Sequence, residues 1–103
     1  MMIKVIVRPS PKPVKKWRAE FPDGRHVDFG LAGFSDYTKH KDRSRMERYL
    51  VRHRKRENWT PSGRYTPGFW SRWFLWSRPS IEGARRVTQK ALGPGYSIRI
   101  ISF

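Results

Sequence analysis

Residues 15–30, KKWRAEFPDGRHVDFG, decide how the chain begins to fold. In their first half Trp17, Ala19 and Phe21 alternate with Lys16, Arg18 and Glu20, the period of two of a half-buried strand with its charges turned outward. Pro22, Asp23 and Gly24 break the pattern with a turn, because glycine reaches positive φ without steric cost and aspartate bonds the backbone that follows it. The alternation then resumes, with Val27 and Phe29 inward and His26 and Asp28 outward. Two strands joined this tightly run antiparallel.

Upstream, IKVIVR at residues 3–8 puts Ile3, Val5 and Val7 on one side and Lys4, Ile6 and Arg8 on the other, and stops at Pro9. PSPKP, residues 9–13, lacks a full set of backbone donors and reads as a wide loop. Three successive strands predict an antiparallel meander over residues 1–30. Its apolar face needs a cover, which later helices supply.

Downstream, Gly30 and Gly33 bracket a bend, and Ser35-Asp36-Tyr37-Thr38 leads into a basic block. Asp42 suits an N-cap, where its carboxylate meets unpaired N–H groups and the positive end of the helix dipole. Met46, Tyr49, Leu50 and His53 then recur at i, i+3, i+4 and i+7, one helical stripe. Around it stand Arg43, Arg45, Arg48, Arg52, Arg54, Lys55 and Arg56, read as the cationic outer surface of an amphipathic helix. After the turn-rich TPSGRYTPG, Thr66 before Pro67 predicts a helix running to about Trp76. Within it Phe69, Trp73 and Trp76 share one face, Trp70 and Phe74 an adjacent one, and Arg72 takes the remaining side.

Pro79 and Ser80 start a third helix, with Ile81, Ala84, Thr88, Ala91 and Leu92 on a narrow stripe, stopped by Gly93, Pro94 and Gly95. YSIRIISF, residues 96–103, reads as a last strand that pairs back into the meander. The expected fold is α+β in one domain of 103 residues: a three-stranded antiparallel meander (1–30) joined by the C-terminal strand, with about three helices on one face. The basic and tryptophan-rich helices occupy 35–77, the third helix and last strand 79–103.

Composition bounds the function. There are 23 Lys plus Arg against 8 Asp plus Glu, a net charge of +15, which suits a polyanion, an acidic protein face or an anionic membrane surface. The absence of cysteine excludes disulfides, thiolate metal sites and a cysteine nucleophile. MMIKVIVRPSPKP lacks the apolar stretch of a secretory signal, and FWSRWFLW is far shorter than the roughly 20 residues a membrane span needs. The expectation is a protein neither secreted by a standard signal nor integral to a membrane.

No zinc-protease, P-loop or nucleophile-elbow motif is present, and no histidine pair has metal-ligand spacing, so neither cofactor nor metal is expected. The RHRKR run at 52–56 suits a phosphate-contacting stripe, a nuclear-localisation-like patch or the cationic half of a protein interface. Tryptophans interleaved with arginine suit base stacking, but their helical period favours core packing, since stacking platforms need exposed rings. His53, on the Tyr49 stripe, reads as a hydrogen-bonded boundary residue. Tyr37, His40, His53, Glu57 and Arg52 would be the groups available to a ribonuclease. The polar cluster of Ser35, Asp36, Tyr37, Thr38, His53 and Glu57 has no role in the expected core.

The ordered series Ser35-Asp36-Tyr37-Thr38, Arg48-Tyr49, Arg52-His53, Glu57-Asn58-Trp59, Gly68-Phe69-Trp70-Ser71-Arg72-Trp73, Leu75-Trp76 and Pro79-Ser80 resembles a family of small basic proteins encoded by large double-stranded DNA viruses of eukaryotes. The resemblance spans about residues 33–85 and implies no catalytic residues. It implies a virion component in the infected host cell: a minor capsid protein that cements the shell against major capsid or other virion proteins, with DNA or an anionic inner membrane as further contacts. The alternatives are a non-specific nucleic-acid-binding protein that condenses the genome and, third, a small ribonuclease. No small-molecule substrate is expected.

Overall fold

The computed structural model describes residues 2–101. Val27, Ala19, Val7 and Ile100 stand side by side in register across four strands. These strands are β1 (Ile3–Pro9), β2 (Lys15–Glu20), β3 (His26–Leu31) and β4 (Tyr96–Ile100), in the order β3-β2-β1-β4. The first three form the expected antiparallel meander. The Asp23 carboxylate accepts from the Arg25 backbone N–H at 3.0 Å, and Gly24 takes φ +92°. β4 joins β1 in parallel. A meander of three strands leaves β3 pointing the same way as β1, so the helices must carry the chain back across one face before β4 can lie beside β1. Residues Ser102 and Phe103 of the expected last strand, and Met1, lie outside the described residues.

Four helices follow the meander: α1 (Tyr37–His40), α2 (Arg43–His53), α3 (Pro67–Trp70) and α4 (Ile81–Leu92), with a 3₁₀ turn at Pro61–Gly63. The expected helix starts at Asp42, Thr66 and Ser80 hold. Asp42 accepts from the N–H groups of Ser44 and Arg45, Thr66 from Phe69 and Ser80 from Gly83, each satisfying an otherwise orphaned donor. The one-turn α1 was not anticipated; Asp36 caps it.

The helix that begins at Pro67 departs from its expected period. After Trp70 it widens into a π turn, Ser71–Leu75, closed by the Trp76 N–H donating to the Ser71 carbonyl at 3.1 Å. The extra residue swings Leu75 round to the side of Trp70 and Phe74, which a straight α-helix would not do. Phe69, Trp70, Phe74 and Leu75 therefore fill the core with Val5, Val7, Ala19, Phe29 and Leu92, while Trp73 and Trp76 pack at its flank. Trp70 and Phe29 are tilted against each other with centroids 5.6 Å apart, and the Trp70 indole N–H is satisfied by the Arg64 carbonyl at 2.8 Å. The tryptophan block thus packs in or against the core, as expected, but the core face is Phe69, Trp70, Phe74 and Leu75 rather than the expected Phe69, Trp73 and Trp76. Arg72 is not on a free side: its guanidinium lies over Trp73 at 4.3 Å and donates to the Trp76 carbonyl at 2.9 Å.

The far face of the sheet is a charge lattice. Arg18 donates to Asp28 at 2.8 Å across β2 and β3, Ser10 adds a 2.7 Å bond to the same carboxylate, and Arg8 pairs with Glu20 at 3.0 Å. The Arg18 bond, with Ser10 and Lys12 adding, holds the Asp28 carboxyl down to about 2 against the opposing cost of burial. No helix of the described residues is long and apolar enough to cross a membrane.

Candidate functional site

α2 lies outside the layer that covers the sheet. Its only buried residue is Tyr49, whose ring stacks on Trp76 with centroids 4.3 Å apart and planes 3° from parallel. His53, one turn on, stacks on the other face of Tyr49 at 4.1 Å. The predicted stripe of Met46, Tyr49, Leu50 and His53 therefore faces the protein, but Tyr49 alone is fully covered. Burial first and the nearby Glu57 charge second push the Tyr49 phenol far above its ordinary range, so it stays neutral.

The basic surface is shorter as a helix than expected. α2 ends at His53, so Arg54, Lys55 and Arg56 occupy the turn after it rather than a helical face. A cation run at a helix C-terminus suits the dipole but supplies no apolar residue with which to continue the stripe. Arg43 pairs with Glu47 at 3.1 Å. Arg45, Arg48, Arg52, Arg54, Lys55 and Arg56 are exposed and have no carboxylate within ion-pair distance among the described residues.

Two parts of the predicted polar cluster, far apart in sequence, meet in one cleft of about 420 Å³. Asp36 comes from the α1 cap, Arg45, Arg52 and His53 from α2, and Glu57 from the segment beyond it. His53 Nδ1 is 2.9 Å from Glu57, and the other Glu57 oxygen accepts from the Trp59 indole N–H at 2.9 Å. Gly68 makes room for this carboxylate, since a Cβ there would lie 2.9 Å from the Glu57 side chain. His53 is thus the hydrogen-bonded boundary residue its position suggested. Among the described residues it is engaged through Nδ1 alone.

Asp36 is 1% exposed and fully satisfied: Thr38 donates from both its backbone N–H and its hydroxyl, and Lys16 Nζ lies 2.7 Å away. This corrects the outward placement of Lys16, whose side chain is only 11% exposed. Gly30, at φ +77°, packs against the Lys16 stem and Leu75 where the chain leaves β3 toward α1. Within the predicted series, Asp36 and Thr38 build the cap, Tyr37 is buried, and Ser35 stays exposed at the cleft. His40 lies elsewhere, tilted against Trp76 at 5.3 Å, and burial with help from Arg45 lowers its pKa, which favours neutral imidazole.

Lys15, Lys16, Phe34 and Ser71 also line this cleft and were not anticipated as site residues. The adjacent Lys15 and Lys16 interrupt no pattern, and nothing in the sequence ties them to α2. Among the described residues no three His, Cys, Asp or Glu side chains gather as a metal site would require.

Residues 5–53 match the model of a family of unknown function, DUF5754. That span runs from β1 to the end of α2 and so takes in the Lys16–Asp36 pair and the Tyr49–His53 stack, but stops short of Glu57 and the tryptophan block. No curated protein and no solved structure matches the chain.

Proposed function

We propose that this protein is a virion structural component, a small basic minor capsid protein of a large DNA virus that cements acidic faces of capsid proteins. The observation that carries the reading is the fate of the carboxylates. Asp23, Asp28, Asp36, Glu20, Glu47, Glu57 and Glu82 each pair with a basic side chain within the chain, and Asp42 caps α2. Apart from Arg43, which pairs with Glu47, the cations of α2 and the turn after it have no carboxylate partner among the described residues and are displayed on an aromatic core that is packed rather than disordered. A rigid body with an uncompensated cationic surface suits electrostatic cementing, where charge complementarity fixes register and suppresses wrong partners. The resemblance of residues 33–85 to small basic viral proteins supports the same reading. No catalytic residue is part of it.

The test is mass spectrometry of purified particles. The protein should be present at a fixed ratio to the major capsid protein, and the Arg54→Glu/Lys55→Glu/Arg56→Glu variant should be lost from particles while still folding. Absence of the wild-type protein from particles sinks the proposal. The second reading, genome condensation, is favoured by the same free cations and predicts duplex binding without sequence preference, weakening steeply with salt. If the protein is absent from particles but co-sediments with viral DNA, that second reading takes its place.

A further inference from the structure

The cleft beside α2 has its own charge account. Its two carboxylates are already engaged, Asp36 by Lys16 at 2.7 Å and Glu57 by His53 at 2.9 Å. Lys15, Arg45 and Arg52 line it without a carboxylate partner among the described residues. A concave site with three free cations is a site for an anion, and arginine's planar fork matches phosphate oxygens. The Glu57 contact at His53 Nδ1 fixes the imidazole and leaves Nε2 open for a further bond. At the lip stands Phe34, 68% exposed, an aromatic ring with no packing role that accounts for it. Exposed aromatics interleaved with cations bind bases by stacking and phosphates by charge. At about 420 Å³ the cleft falls within the size range of small-ligand sites and is too confined for a duplex.

From these features we infer that the cleft is a binding site for a nucleotide unit, a phosphate with its attached planar base, taken either as free mononucleotide or as one unstacked residue of a single strand. Lys15, Arg45 and Arg52 hold the phosphate, His53 Nε2 adds a hydrogen bond, and Phe34 stacks on the base. The site does not depend on the capsid reading, whose test changes only Arg54, Lys55 and Arg56 of the turn after α2, none of which lines the cleft.

The test is titration of the intact protein with adenosine monophosphate, inorganic phosphate, a short oligothymidylate and an oligoglutamate peptide in about 100 mM salt, where non-specific attraction is screened. The mononucleotide should saturate a single site. Lys15→Ala/Arg45→Ala should weaken it at least about tenfold, the loss expected for charge-assisted bonds. Lys55→Ala/Arg56→Ala removes equal charge away from the cleft and should leave the affinity within about twofold, since exposed distant charges are screened. Phe34→Ala should weaken the nucleotide but not inorganic phosphate. Oligothymidylate binding more tightly than the mononucleotide assigns the site to a strand, and the reverse to free nucleotide. No saturable nucleotide binding, equal loss in both double variants, or tighter cleft-dependent binding of oligoglutamate each overturns the assignment, whatever the particle experiment shows.

Discussion

The Tyr49 ring lies flat on Trp76, 4.3 Å between centroids and 3° from parallel, and this contact ties α2 to the rest of the protein. Trp76 sits at the end of the π turn, so the irregular helix presents the platform on which the basic helix rests. Tyr49→Ala should cost about 3–5 kcal/mol in urea unfolding, as for other large aromatic truncations. Tyr49→Phe keeps the ring and should cost less than about 1.5 kcal/mol. A Tyr49/Trp76 double-mutant cycle should return about 0.5–1.5 kcal/mol of coupling. Coupling indistinguishable from zero means that α2 is held by other contacts.

Lys16 and Asp36, 2.7 Å apart and both nearly inaccessible, join β2 to the cap of α1. Removing one partner leaves a buried charge uncompensated, so Lys16→Met and Asp36→Asn should each destabilise by about 3–5 kcal/mol. The double variant should cost clearly less than the sum of the two, because neither charge is then left alone. Strict additivity in denaturant midpoints would show that the pair does not act as one unit.

The alternation of Trp17, Ala19, Val27 and Phe29 was legible because strand period needs only neighbouring residues to reveal it. The caps at Asp42 and Thr66 were legible for the same reason, being local hydrogen bonds. The Lys16–Asp36 pair was not, because its partners are 20 residues apart and meet only after Gly30 redirects the chain. A 3.6-residue period puts Arg72 on a free side and cannot show that Leu75 turns into the core, because the helix inserts a π turn there. Half of the site was visible as unexplained polar residues, Asp36, Arg52, His53 and Glu57. Lys15 and Phe34, brought to the same cleft by the topology, carry no local signal.

Asp28 links the outer face of the sheet to pH. Its carboxyl is depressed to about 2 from an ordinary 3.8, chiefly by the Arg18 hydrogen bond, so the folded state binds its proton less readily than the unfolded chain. The stability this contributes is fully present above about pH 4 and is lost as the pH falls through about 2. Asp28→Asn should therefore be less stable than wild type at pH 7, with the gap closing between about pH 4 and 2 in urea titrations. A gap that stays constant across that range would mean that the Arg18–Asp28 contact does not depend on the ionised carboxylate.

Gly63 is required for a different reason from the turn glycines. Gly24 has φ +92° and open space around it, so Gly24→Ala meets only backbone strain, about 1–2 kcal/mol. A Cβ on Gly63 would sit 2.1 Å from the Asn58 carbonyl oxygen, and a backbone atom cannot swing aside as a side chain does. The segment that must move carries Trp59, whose carbonyl accepts from the Trp73 indole at 2.9 Å, and it adjoins Glu57, which orients His53. Gly63→Ala should cost at least about 1–3 kcal/mol, the range for overpacking, and should also shift the tryptophan emission. Gly24→Ala, distant from these rings, should lower the denaturant midpoint with emission unchanged. If Gly63→Ala leaves the emission at its wild-type position, the 58–63 turn is free to relax without disturbing the tryptophan layer, and the coupling between that turn and the His53–Glu57 pair does not hold.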